Sequence, residues 1–515
     1  MYNFAVKKFE NKSLLLQIYD IMRRLLLLFI IPLFVTSCHY DWFGPNTTPS
    51  KHVIYYTSID GNTIDIHRNV IGEMFGARVL SNTYENGVGK RVFNCDITGV
   101  NTWFQGNGYL KTIILPASVN RIDDNAFNSC GNLESVSMTE NVTYVGDHAF
   151  AYCQKLLEVK LPTSVTSIGE RAYECCEGLT EVELHEGLTT IGDQIFVDCT
   201  NLTCVTLPES LTSIGTAPFM NCPSLSEFRG KYASECGKYL HDGDTLISIA
   251  PAGVVEYTTP EHITTIGKGA FMGNETIETI ALSENVTTIC DNAFNSCRAL
   301  RSINLHDNIT SIGEYAFKYC WELREIVLPN SIDTIAKGTF ARCANLQDIT
   351  IPTSVTTIDE SAFAACHYTK SIPIPESVTT IGAYAFSGCE NLDSMVIPKG
   401  VTVIEEGTFH NCGCLKSVTL PNTIEEIGYK AFYYCTILQE ITIPEKVLHI
   451  RDLAFAENKH LTSIYCKPTI PPMTYSQIIH NSPNATIYVP RGTKHHYKAT
   501  GGWCDIINRI EEFDY

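Results

Sequence analysis

Charge is scarce in this chain. Of 515 residues only 18% are Asp, Glu, Lys or Arg, against 44% hydrophobic ones, too apolar a balance for a disordered protein. Basic residues are the scarcest class of charge, 37 against 56 acidic ones, and a formal net charge of −19 repels phosphate backbones, which argues against nucleic-acid binding. The one apolar run that looks like a targeting segment, the eleven residues from Leu25 to Val35, is too short to span a bilayer as a helix. Catalytic signatures are missing: there is no Gly-x-Ser-x-Gly, His-Glu-x-x-His, phosphate loop or dinucleotide fingerprint. Carboxylates such as Glu183, Glu325 and Asp348 fall at variable outward offsets, as on a solvated face. No enzyme activity, cofactor or metal site is expected.

What the chain has is a repeat. Aromatic residues stand at 104, 127, 150, 173, 196 and 219, then at 271, 294, 317, 340, 363, 386, 409, 432 and 455. Every step is 23 residues except the 52 from Phe219 to Phe271, so there are fifteen repeats. Around Phe317 the other apolar positions are Leu300, Ile303, Leu305, Ile309, Ile312, Ala316 and Cys320. Ile303 and Leu305 point to one face of a strand, and a Pro, as at Pro329, Pro352 and Pro375, closes it. A second short extended piece follows, and the segment from Gly313 to Phe317 is expected to tighten into a turn of helix. One repeat has too little apolar surface to fold alone, and stacking supplies the core.

Three residues past each aromatic comes Cys130, Cys153, Cys176, Cys199, Cys222, Cys297, Cys320, Cys343, Cys366, Cys389, Cys412 or Cys435, with Asn107, Asn274 and Asn458 in the other three repeats. Asn cannot cross-link, so this column reads as buried, reduced packing residues. Cys175-Cys176, Cys412-Gly-Cys414 and His495-His496 near Cys504 do not make a metal-ligand spacing. Some of the eight off-ladder cysteines other than Cys38 (95, 175, 204, 236, 290, 414, 466, 504) are candidates to pair in an oxidising compartment.

Leu-x-x-Ile-x-Leu is a leucine-rich-repeat core, and the fuller Ala-Phe-x-x-Cys-x-x-Leu-x-x-Ile-x-Leu-Pro resembles the BspA-like leucine-rich repeats of bacterial surface proteins over residues 93–465. The resemblance implies adhesion to host matrix proteins or other cells. Departures are Ser164, Ser331 and Ser354 where ordinary repeats carry Asn or Cys, Thr369 at a Leu position, and Ala336, Glu405 and Arg451 replacing a Gly, so that Gly site cannot demand a positive φ.

The expected organisation follows. Residues 1–38 are a leader: Met22, the reading for the true start, then Arg23, Arg24, the apolar run and Thr36-Ser37-Cys38 describe a signal peptide. Val35-Thr36-Ser37-Cys38 resembles a bacterial lipobox, which implies cleavage before Cys38 and lipid on it. Residues 39–51 are a linker and 52–92 an N-terminal cap, with Asp60-Gly61 as a hairpin signal. Residues 93–465 are a leucine-rich-repeat solenoid, predominantly β with short helical turns and an irregular hairpin at Asp242-Gly243 within 223–260. Residues 466–515 are a C-terminal cap with one strand at 485–490 and a closing helix at 503–513.

Candidate ligand contacts are two aromatic sets at offsets held elsewhere by polar residues: Tyr315, Tyr319 and Trp321, and Tyr429, Tyr433 and Tyr434. Rows of Thr, as at Thr189-Thr190, Thr264-Thr265, Thr287-Thr288, Thr356-Thr357 and Thr379-Thr380, are read as β-propensity at a bend, or as a polar docking strip. The expected function is a lipid-anchored, outer-membrane binding surface, probed for protein or polysaccharide partners. The alternatives are a glycan-capturing lipoprotein of a nutrient-uptake system and a structural envelope spacer.

Overall fold

The computed structural model describes residues 50–64, 77–474 and 477–514. Cys38 and nearly all of the leader and linker lie outside the described residues. The residues from Lys51 onward form one compact unit, and no helix among the described residues is long and apolar enough to cross a membrane.

The unit is a solenoid built from two short strands per 23-residue coil. The first strands stack in parallel, one coil per rung: Glu325 opposite Asp348 and Ile326 opposite Ile349. The second strands do the same, Ile358 opposite Ile381. In each, the apolar residue turns inward and its neighbours outward, as in Glu325–Val327, where only Ile326 is buried.

The aromatic column is a continuous ring stack within each block. Neighbouring rings lie 5.2 to 5.9 Å apart from Phe104 to Phe219 and 5.0 to 5.8 Å apart from Phe271 to Phe455. Offset-stacked rings at this spacing gain beyond their area burial.

The segment carrying each aromatic differs from the expected turn of helix. Only Thr102–Phe104 is a 3-10 helix. In the interior repeats two positions per turn, two residues before and two after the aromatic, are left-handed: Tyr315 (φ 56°) and Tyr319 (φ 62°) around Phe317, Ser361 (φ 56°) and Ala365 (φ 58°) around Phe363. Alternate N–H groups close bonds within the turn, as Cys320 to Phe317 and Lys318 to Tyr315, each 3.1 Å. The others reach the next coil: the N–H groups of Tyr315, Phe317 and Tyr319 donate to the carbonyls of Lys337, Thr339 and Ala341, each at 2.9 Å. Every main-chain N–H from Gly313 to Cys320 is thereby paired, which a helix could not arrange between coils. Twelve of the turns carry all three inter-coil bonds.

At the 52-residue step the ladder breaks. Tyr239–Asp242 and Thr245–Ile249 form the expected antiparallel hairpin. Its second strand then continues the array, Leu246 opposite Ile266. The chain leaves this strand straight for the next first strand, Glu256–Thr258, so this coil has no aromatic turn. The buried apolar residues accordingly fall into two clusters, one from Ile54 to Ala250 and one from Leu246 to Ile510.

The caps differ in detail from expectation. At the N-terminus Val53–Ser58 pairs with Val88–Phe93 and, on its other edge, with the first array strand Leu110–Ile114. The hairpin turn is Asn86-Gly87, both with positive φ, the dipeptide that a two-residue turn requires; Asp60-Gly61 only turns the chain after the first strand. At the C-terminus Thr486–Pro490 is a strand as expected. The segment read as a closing helix is a 3-10 turn, Cys504–Arg509, followed by the strand Ile510–Phe513, and Lys494–Ala499 is an α-helix that sequence reasoning missed. Trp503 closes the core, donating its indole N–H to Pro472 O at 2.7 Å.

Candidate functional site

The cysteine column is internal. Each ladder sulfur is buried and its thiol reaches back to the aromatic carbonyl of the preceding coil, Cys320 to Phe294 O at 3.2 Å, Cys389 to Phe363 O at 3.2 Å and Cys435 to Phe409 O at 3.1 Å. Burial pushes the Cys389 and Cys435 thiols up to about 12. All twenty described cysteines are free, so no off-ladder pair forms among them.

The three Asn exceptions mark the ends of ring stacks. Asn107 and Asn274 begin a block and have no preceding aromatic turn to bond, so their side-chain oxygens accept from their own turns, Tyr109 and Leu110 N–H in one and Thr276 and Ile277 N–H in the other. Asn458, in the last turn, does the cysteine's work and donates to Phe432 O at 2.8 Å.

Most of the Ser column follows the same logic, though the buried Ser354 hydroxyl has no partner among the described residues. Ser210 and Ser377 donate to carbonyls of the preceding coil, Leu188 and Val355, at 2.8 and 2.7 Å. The Thr rows do likewise: Thr189 to Thr166 O and Thr212 to Thr189 O at 3.0 and 3.1 Å. These are the first hydroxyls of the Thr pairs, and in Thr189, Thr287, Thr356 and Thr379 they tie coil to coil. Buried Thr369 also bonds the preceding coil.

The aromatic sets are at the surface edge of the turns, each accompanied by cations. Trp321 is 41% exposed and Tyr434 42%. Arg298 lies over the Trp321 ring at 4.6 Å. Lys318 lies over Tyr315 and Tyr319, at 4.8 and 5.3 Å, and Arg342 over Tyr319 at 5.3 Å. Lys430 serves Tyr429 and Tyr433 in the same way, at 5.0 and 5.2 Å. His410 stacks on Tyr433 with 5.2 Å between centroids. These distances are within cation–π range. Tyr315 is half-buried, with the backbone of Gly338 packed against its ring. Tyr152 and Tyr368, exposed as well, were not singled out by their sequence.

One cluster was missed. Glu174, Cys175 and Asp198 bring donor atoms within 4.8 Å of one another, and no other such group exists among the described residues. Glu174 already accepts from the Tyr152 hydroxyl at 3.0 Å and lies 3.8 Å from Arg171. The Cys175 thiol is pushed up to about 11 by burial and then by Asp198. With Glu174 already engaged by Tyr152 and Arg171, the three donors fall short of the four that a closed metal site uses. His495 and His496 have ring centroids 4.0 Å apart, while the Cys504 thiol turns to Asp505.

The chain matches six copies of the BspA type leucine-rich repeat region, over residues 100–226, 253–370 and 357–482. The stretch left out between the first two is the hairpin coil. Similar solved structures include a leucine-rich repeat protein from Bacteroides ovatus (21% identity, covering 87% of this chain and 100% of that one, TM-score 0.41). A leucine-rich cell surface protein from Faecalibacterium prausnitzii is 24% identical (73% and 95% covered, TM-score 0.38). The pneumococcal vaccine antigen PcpA is 19% identical (72% and 80%, TM-score 0.39). No curated protein matches the chain.

Proposed function

The chain belongs to the BspA-type leucine-rich repeat family, and on that basis we propose that it is an envelope binding protein, anchored through lipid on Cys38 and presenting its solenoid to protein ligands of a host matrix or of other cells. An extended rigid array offers such ligands a broad surface. The observation that carries the reading is the pairing of surface aromatics with cations. In a chain of net charge −19, Arg298, Lys318, Arg342 and Lys430 gather over tyrosine and tryptophan rings, the residue types that dominate interface energies. An acidic protein segment would meet both the ring and the cation. A glycan ligand is the second reading, favoured by the exposed indole of Trp321.

The test replaces Tyr319→Ser, Trp321→Thr, Tyr433→Ser and Tyr434→Asn together, residues that other repeats carry at those offsets. Binding to immobilised matrix proteins is expected to fall while far-ultraviolet circular dichroism stays unchanged. Undiminished binding by the folded variant would overturn the aromatic reading, and loss on a glycan array alone would favour the second. Mass spectrometry of the native N-terminal peptide tests the anchor, and an unmodified Cys38 excludes it.

A further inference from the structure

Ladders run from coil to coil through each block of the solenoid, and between Phe219 and Phe271 all of them stop at one place. The sheet of first strands that holds Glu181–Glu183 and Cys204–Leu207 ends at Glu227–Gly230, and a new sheet begins at Glu256–Thr258. The sheet of second strands ends at Ser213–Ile214, and a new one begins with the hairpin. The N–H groups of Ala217, Phe219 and Asn221 donate to no acceptor among the described residues, and no described donor reaches the carbonyls of Lys268, Ala270 and Met272 across the gap. The rings part as well: Phe219 tilts onto Phe228 at 5.3 Å, and Phe271 meets Tyr257 edge-on at 5.2 Å. Strand sheets end at other places too, as between Ser311–Ile312 and Thr334–Ile335, but there the turn bonds and the ring stack carry on. What joins the two blocks is the hairpin coil, whose side chains alternate between the two cores: Leu240 and Ala250 are buried in the first, Leu246 and Ile249 in the second. The facing turns touch at two points. A Cβ on Gly269 would come within 2.8 Å of that of Ala217, and one on Gly273 within 2.8 Å of the Met220 side chain. A cavity of about 260 Å³, with Phe219 and Phe271 in its lining, lies between the turns.

We propose that the hairpin coil is a hinge, about which the blocks on either side tilt as two arms, opening and closing the contact between the Phe219 and Phe271 turns. The difference from the rest of the solenoid is one of stiffness. Within a block, tilting one coil from the next breaks the main-chain bonds between turns and separates stacked rings, as at Phe294 and Phe317. At the gap the same tilt breaks neither. It costs only apolar contact at the two touching points and around a cavity whose lining already lacks part of its packing. Closure has a stop, Ala217 against Gly269 and Met220 against Gly273. Opening has a pivot. The hairpin coil is held to the first block by the N–H of Phe228 to Gly237 O and of Ala252 to Leu225 O, at 2.8 and 2.9 Å, and to the second block by the N–H of Gly267 to Leu246 O at 2.9 Å. The strand side is bonded and the turn side is not, so the motion opens on the turn side. Hinges of this kind absorb their change at a few element-terminal residues, and Gly230 and Gly253, both with positive φ, bound the connecting chain. A ligand that contacts both blocks would select one angle between them. The aromatic sets at Trp321 and Tyr434 share the second block and keep their spacing whatever the angle.

Distances between paired spin labels on the full chain test it, with the labels carried on unnatural amino acids so that the native cysteines are not modified. One pair replaces Glu183 and Ala281, exposed first-strand residues on either side of the hairpin. The control pair replaces Val327 and Thr419, exposed first-strand residues within the second block, the same number of coils apart. Across the hairpin the distance distribution is expected to be at least about twofold broader than in the control, as for a collective hinge motion. Ala217→Cys together with Gly269→Cys is expected to lock the turns on oxidation, since a disulfide holds its Cβ atoms about 3.8 Å apart, and to narrow the first distribution to the width of the second. Reduction is expected to restore the breadth. Equal widths in the unlocked chain, or a width unchanged once mass spectrometry shows the cross-link, would overturn the proposal. If the double-cysteine variant fails to fold or to oxidise, the comparison of the two label pairs still decides. The measurement uses no ligand, so its outcome is independent of whether the aromatic surface binds one.

Discussion

A thiol that donates to a carbonyl in the core must keep its proton, and this ties stability to pH. Burial raises Cys389 and Cys435 from 9.0 to about 12. In the unfolded chain these thiols ionise above about 9, whereas the folded chain holds the proton to about 12. Between those values the unfolded state binds fewer protons, so stability is complete below pH 9 and falls as pH rises, by about 1.4 kcal/mol per pH unit for each such thiol. Urea unfolding from pH 7 to 10.5 is expected to show a plateau and then a decline. Cys389→Ser, whose hydroxyl does not titrate there, is expected to shallow the decline by about one proton; a stability independent of pH would contradict it. Native alkylation separates the classes: exposed Cys236, its thiol lowered chiefly by the Ser234 hydroxyl, is expected to react promptly, and Cys389 only after unfolding. At this scale the sequence was eloquent, because Asn at three rungs excluded a cross-linked column. The carbonyl partner was not legible, since it lies 26 residues away on another coil.

The turn shows where sequence reading stops. The aromatic and the cysteine were placed by period alone, but the left-handed residues beside them were not, because Asn, His, Arg, Gln, Tyr, Ser and Leu all occupy those positions. The conformation recurs at every interior turn, including the Phe219 turn that makes no such bonds to a next coil, and leaves no glycine signature. Such residues carry a cost of about 1–2 kcal/mol in isolation, which the ladder offsets. Glycine does appear where a ring lies beneath it. Gly338 has φ 58°, and a Cβ there would stand 2.4 Å from the Tyr315 ring; Gly407 repeats this over Tyr384 at 2.3 Å. Gly338→Ala is therefore expected to cost about 1–2 kcal/mol from the backbone and more from the displaced ring. Tyr315→Ala is expected to relieve the second part but not the first. A double-mutant cycle by chemical denaturation measures this, and strict additivity would show that the ring is not the obstacle. The same contact leaves Tyr315 half-buried.

At the scale of the whole molecule the 52-residue step, the Asn at its far side and the unmatched stretch in the family pattern all mark one place, where the buried residues divide into two clusters. The period revealed the interruption, and Asp242-Gly243 its hairpin. That the array would continue past the hairpin was legible in the resumed period, but that the hairpin's own second strand would take a ladder position was not, since strand pairing depends on where the chain returns and not on local preference. In a solenoid each coil touches only its neighbours, so damage travels along the stack through ring contacts and ladder bonds. Phe340 lies between Phe317 and Phe363 at 5.5 Å from each and is fully buried. Removing its ring in Phe340→Ala is expected to cost about 3–5 kcal/mol. Hydrogen exchange is expected to rise most in residues 317–363 and to fade toward Phe271. It is not expected to cross to Phe219, because no inter-coil bond and no ring stack joins those two turns. In Phe150→Ala the mirror result is expected, with loosening confined to the coils before the hairpin. Exchange that rose equally on both sides of the gap would mean that the strand pairing of Leu246 with Ile266 transmits as much as an intact turn, and the solenoid would then be one cooperative block.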